Sequence, residues 1–125
     1  VAAELELGNV RVVNDRSEQL ARQDRHRDRY EVVTARAVGP MRVLLEVALP
    51  LTRVDGRLLA VKGGKVEQEL RDAGDALMLL GAGEVELYEL LPGLNDAAVV
   101  VEVRKLSATP RDYPRPPGMA KKEPL

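Results

Sequence analysis

Two short runs, Glu31–Ala37 and Arg57–Lys62, are nearly all apolar at their centres, and a stretch with helical periodicity lies between them. Runs of this length without regular polar alternation read as strands buried on both faces. Between them Gly39-Pro40 starts a helix, because proline fits a first turn where its missing N–H costs nothing. Val43, Leu44, Val47, Ala48 and Leu51 then recur on one helical face. A strand, a helix and a second strand in this order form a crossover, so the two strands should run parallel. This unit constrains the chain to an α/β sheet more than any other feature. Asp55-Gly56 reads as the turn that admits the second strand.

The alternation continues downstream. Val66, Leu70, Ala73, Leu77 and Leu80 share one face of a further helix, and Gly81 is a good stop for it. Val85 and Leu87 alternate with Glu84, Glu86 and Glu89, as in an exposed edge strand, whereas Ala98–Val103 is apolar enough for the middle of a sheet. Pro92-Gly93 and Asn95-Asp96 join these two by a short connection, so the final pair should be antiparallel. Upstream, Val1–Leu7 reads as the end of a helix and Val10–Val13 as a short strand. Arg16–Arg22 reads as a short helix capped by Asn14-Asp15, and Gln23–Tyr30 as a polar, arginine-rich surface segment. Ser107–Leu125 holds five prolines and no apolar period, so it reads as an extended basic tail following a domain over residues 1–106, either a contact for RNA phosphate or a strap packed on the domain through Tyr113 and Leu125.

Composition narrows the classes of function. With 125 residues the chain makes one domain, and the absence of cysteine removes disulfides, zinc thiolates and a thiol nucleophile together. Aromatics are 2%, so the core must be Val, Leu and Ala, and the sheet offers no platform for stacking bases. No run of 18 apolar residues suggests a membrane span. Val1–Leu7 carries two glutamates and no basic region of the kind that opens a signal peptide; a first residue other than methionine suggests a fragment or a processed product. The net charge of −1 is unevenly spread. Val66–Glu102 has one arginine against nine acids, whereas Val103–Leu125 has six basic residues against two acidic ones. Basic ends kept apart from an acidic flank suit contact with nucleic-acid phosphate, or simply solvated faces.

In an open parallel sheet, ligands bind outside the carboxyl ends of the strands. Arg36 and Lys62 stand at two such ends on successive strands, so they could meet side by side on one rim and suit a carboxylate or phosphate, or simply end their strands where solvent begins. His26, the sole histidine, reads as a surface residue, and neither Ser17 nor Ser107 has a histidine placed to complete a hydrolytic triad. "KGGK" lacks the spacing and the Ser/Thr of a phosphate-binding loop. Methyl transfer to a ring nitrogen with a free lone pair needs alignment rather than a base or a covalent step. The absence of a triad is therefore compatible with that chemistry, and many doubly wound methyltransferases close with a reversed last strand slotted between its predecessor and the parallel strands.

Three stretches carry a family likeness: "VVTARAV", "VALPLTRVDGRLLAVKGGKVEQEL" and "VVVEVRKLSATPRDYPRPPGMAKKEPL". Together they resemble the bacterial ribosomal RNA small subunit methyltransferase G family, also called GidB. The ending "TPRDYPRPPG" followed by "KKEPL" is the most specific piece. The resemblance implies the C-terminal portion of a Rossmann-like methyltransferase fold. It implies transfer of a methyl group from S-adenosyl-L-methionine to N7 of a guanine in 16S ribosomal RNA, with the small ribosomal subunit as partner, a cytoplasmic setting and no metal. It places Ser17, Glu18 and Arg36 on the cofactor side. Lys62, Arg115, Lys121 and Lys122 become RNA-contact candidates. The family's glycine-rich cofactor loop and ribose carboxylate belong to two strands expected before Val1, which leaves Val10–Val13 without its neighbour. Ala98 stands where an arginine is usual, and Ser17 replaces a small apolar residue. The chain alone should therefore be inactive, or serve as a non-catalytic RNA-binding or assembly piece of the same fold.

Overall fold

The computed structural model describes residues 8–36, 39–90 and 98–125. The expected helix at Val1–Leu7, the Pro92–Asp96 connection and the final residue of the Glu31–Ala37 run lie outside them. Helix α1 is Ser17–Leu20, strand β1 Tyr30–Arg36, and helix α2 Met41–Ala48, extended by a 3₁₀ turn at Leu49–Leu51. Strand β2 follows at Thr52–Lys62, then helices α3 at Val66–Asp72 and α4 at Gly74–Leu80. Strands β3 and β4 are Ala82–Glu89 and Val99–Lys105, and helix α5 is Met119–Lys122.

The sheet order is β1-β2-β4-β3. β1 and β2 run parallel, as a crossover through α2 requires, and β4 runs antiparallel to both of its neighbours. The apolar β4 takes an interior place, and the glutamate-rich β3 takes an edge, as their patterns indicate. Helices α2, α3 and α4 supply one layer. Met41, Leu44, Leu45 and Leu49 bury completely against Leu58 and Ala60 of β2 and Val101 and Val103 of β4. Each of the large aliphatic side chains contributes about 1.5–3 kcal/mol on burial. The opposite face is open: Val32 is 47% exposed and Tyr88 48%, and Leu59, Val61 and Val100 are half-buried.

Four local expectations change. Val10–Val13 pairs with no strand among the described residues, and its three valines stay exposed, because the strand it would need as a neighbour is absent there. Asp55-Gly56 turns the chain inside β2 as an irregularity, with Asp55 at φ 70°, rather than before it. Glycine is required at 56, since a Cβ there would lie 2.7 Å from the Glu31 carbonyl oxygen. The single helix expected over Val66–Leu80 is two helices, broken at Ala73 where Gly74, a poor helix former, follows. Both pieces still turn their apolar residues inward: Val66, Ala73, Ala76 and Leu80 are buried.

The proline-rich end is the fourth. It packs rather than trails, with Tyr113 and Leu125 against the main core and Ala120 of α5 against Val43 and Val47. Thr109 is buried and donates its hydroxyl to the Leu80 carbonyl at 2.7 Å.

Candidate functional site

The parallel strands deliver two cations to one rim, but on opposite faces. Arg36 lies opposite Val61 in the β1–β2 register, and Ala35 lies opposite Ala60. Side chains alternate faces along a strand, so Lys62 falls on the helix-covered face with Ala60 and Arg36 on the open face with Val61. The expected side-by-side pair is thus a pair separated by the sheet. Arg36 is exposed, and its guanidinium makes no ion pair or hydrogen bond among the described residues.

Lys62 is held within the fold. Its ammonium lies 2.8 Å from Glu69 of α3 and donates to the Gly39 carbonyl at 2.7 Å. The same Glu69 oxygen accepts the Met41 N–H at 3.0 Å, closing the first turn of α2. This network ties the end of β2, the segment after β1 and the start of α3 into one unit. Above it lies a groove of about 580 Å³.

Ser17 and Glu18 open α1. Glu18 is only 4% exposed, accepts the Gly118 N–H at 3.0 Å and pairs with Arg16 at 3.1 Å. The Ser17 hydroxyl donates to its other oxygen at 3.4 Å. Burial by itself pushes the Glu18 carboxyl up, but the Gly118 N–H, its own N–H and Arg16 outweigh it and hold the carboxyl below its usual value. A carboxylate with this many donors is a latch on the C-terminal segment.

The four tail and rim cations expected to meet RNA divide in the same way. Lys121 and Lys122 are exposed on α5 and make no ion pair among the described residues. Arg115 instead grips Glu46, which is wholly buried on α2: its Nε lies 3.0 Å and its terminal nitrogen 2.7 Å from the carboxylate, and its backbone N–H adds a third bond at 2.8 Å. That hydrogen bonding raises the Arg115 pKa above the ordinary guanidinium value.

The Gln23–Tyr30 segment, expected as surface, is partly interior. His26 is 7% exposed, and its Nδ1 lies 2.6 Å from the Tyr30 hydroxyl. Arg27 donates to the carbonyls of Thr109, Pro110 and Tyr113, and Arg22 to that of Pro114 at 2.6 Å. Lys105, fully buried, reaches Asp28 and the Leu49 carbonyl. Burial pulls its pKa down against the opposing pull of Asp28. Glu46, Glu69 and Lys105 escape a reading by periodicity; Glu46 is a charge set in the apolar "VLLEVA", which is the signal of a buried partner, whereas Glu69 and Lys105 stand among other charges and carry no such signal.

Of the three residues expected on the cofactor side, Arg36 keeps its charged group without a partner among the described residues, whereas Glu18, like Lys62 on the rim, already holds protein partners. No group of three acidic or histidine side chains is placed to hold a metal among those residues, and no helix is long and apolar enough to cross a membrane.

A parallel pair of strands is closed by a reversed interior strand, and Arg36 at the rim has no ion pair among the described residues. A solved rRNA methylase from Streptococcus thermophilus shares the fold, with a TM-score of 0.58 over 85% of this chain and 63% of that one, at 20% identity. The chain belongs to the GidB family, rRNA small subunit methyltransferase G, whose model matches residues 1–94. It is 35% identical to the ribosomal RNA small subunit methyltransferase G of Desulforamulus reducens, over 100% of this chain and 52% of that protein. With the protein of that name from Chloroflexus aggregans it shares 46% identity over 97% of this chain and 51% of the other. The chain therefore spans about half the length of the curated relatives it matches.

Proposed function

We propose that this chain is the carboxyl-terminal half of an enzyme that methylates N7 of a guanine in 16S ribosomal RNA. The partner would be the small ribosomal subunit, and the setting the cytoplasm. The observation that carries the reading is Arg36, a cation without an ion pair or hydrogen bond among the described residues, at the carboxyl end of β1 beside an open sheet face, in a chain of this family. Bound S-adenosylmethionine would supply an electrophilic methyl group on sulfur. The guanine N7 lone pair would take that methyl as the carbon–sulfur bond breaks, so no residue of this chain need remove a proton. Arg36 would orient the cofactor's carboxylate. Ser17 and Glu18 would border the same side, with Glu18 acting through the shape of α1 rather than as a free ligand. The alternative, a piece that binds RNA without catalysis, shares the fold but not the chemistry.

The test is a fusion of the amino-terminal half of the Carboxydothermus hydrogenoformans relative, 42% identical over this chain, to residues 1–125. The fusion should methylate small subunits lacking the modification, and Arg36→Ala should abolish transfer while leaving the melting temperature unchanged. A folded fusion that binds the cofactor and transfers no methyl would leave the non-catalytic reading standing.

A further inference from the structure

The groove above Lys62 lies at the carboxyl end of the parallel strands, between the first turns of α2 and α3. One of its two acids is paired: Glu69 is matched by Lys62 and the Met41 N–H. Asp72, the last residue of α3, accepts the neutral Gln68 side-chain amide at 2.8 Å and keeps its charge. The remaining cations of the groove outnumber it. Arg42, on the first turn of α2, and Lys65, at the entrance to α3, line the groove without an ion pair or side-chain hydrogen bond among the described residues. Two unmatched cations facing one open groove of about 580 Å³ suit a run of phosphodiesters better than one small anion.

We propose that this groove seats the phosphate backbone of the substrate RNA, with Arg42 and Lys65 as the contacts. Lys62 is then the fixed floor of the groove, not a contact. Its bonds to Glu69 and Gly39 hold the two walls at a set separation. The assignment rests on the rRNA reading above and deepens it, because it gives the strand a path past the rim that carries Arg36. Contacts of this kind position RNA without reading its bases.

The probe is a fluorescein-labelled 16S-derived hairpin, titrated with the 125-residue chain at several salt concentrations. Arg42→Gln and Lys65→Gln should each weaken binding about 3-fold at low salt, and the double variant about 10-fold, with the salt slope shallower by about two. A scrambled hairpin should lose affinity in the same proportion. Lys62→Met should lower the melting temperature, a change the two glutamine variants do not share. Double-variant affinity and slope equal to wild type, with wild-type circular dichroism, would sink the groove while leaving the enzyme reading intact. Absence of RNA binding by the wild-type chain at about 50 mM salt would also overturn it, as would equal protection of the groove by millimolar inorganic phosphate, which would mark a small-anion site. The methyl-transfer assay on the fusion decides the enzyme reading independently of all three outcomes.

Discussion

Arg115 shows how one side chain separates two readings of the same basic segment. Its guanidinium is forked onto a carboxylate with no exposure to water, so its removal would strand Glu46 as a buried charge. Arg115→Ala should cost about 3 kcal/mol in urea unfolding, and lysine should restore only part of it, because an ammonium lacks the fork. An RNA contact alone would lower RNA affinity and leave the unfolding midpoint in place. Glu18 gives a second residue-scale expectation. Its carboxyl sits below the ordinary glutamate value of 4.5, so the unfolded chain binds the proton more readily than the folded one. The stability this supplies is fully present above 4.5 and drains away as pH falls through the folded value. In Glu18→Gln, the acid limb of a stability–pH curve should be flatter; an unchanged limb would mean that the Gly118 latch does not favour the charged form. Neither partner pairing was legible beforehand. Glu46 stands out as a charge inside "VLLEVA", but its partner is 69 residues away, and no periodicity spans that gap.

At the level of elements, the parallel crossover, the interior β4 and the edge β3 all follow from patterns of apolar and charged residues. Pattern also placed the stop of α4 at Gly81. That residue adopts φ +91°, and a Cβ on it would fall 2.2 Å from the Ser107 carbonyl oxygen. Gly81→Ala should therefore destabilise the chain by at least about 2 kcal/mol, from strained backbone plus a clash with main chain that cannot swing aside. Thermal melting checks this, and a loss under 0.5 °C would refute it. What pattern did not give was the relation of Arg36 to Lys62. Each residue was correctly placed near a strand end, but the face depends on register, and a single-residue offset reverses it. The C-terminal segment was opaque for another reason. Part of its order comes from arginines of a distant segment bonding to its carbonyls, which leaves no trace in its own side-chain sequence, and its side-chain anchors, Thr109, Tyr113, Arg115, Ala120 and Leu125, follow no period.

For the molecule as a whole, the sheet is finished on one face and unfinished on the other. β1 ends the strand order, with Val32 and Tyr30 nearly half exposed beside it. In a doubly wound sheet both faces carry helices. The chain spans about half the length of its relatives, and under the proposed function the other layer of such a domain would seat on this face. The chain alone should then show no calorimetric binding of S-adenosylmethionine tighter than about 100 μM, because the glycine-rich turn that supplies most cofactor contacts is not among its residues. Micromolar binding by the 125-residue chain would contradict this.

The grip of Arg22 and Arg27 on the C-terminal segment has a consequence for how freely that segment can change. Both arginines bond to carbonyl oxygens, at Thr109, Pro110, Tyr113 and Pro114. Every amino acid carries that oxygen, and proline keeps it while giving up its N–H. The handle is thus written in the backbone and survives almost any spelling of the segment. A library of substitutions across Pro110–Asp112 should leave the arginine contacts intact, whereas one change at Arg27 removes three of them at once. Constraint lies with the hand and not with what it holds, so a stretch that looks poorly specified can keep its place through long drift.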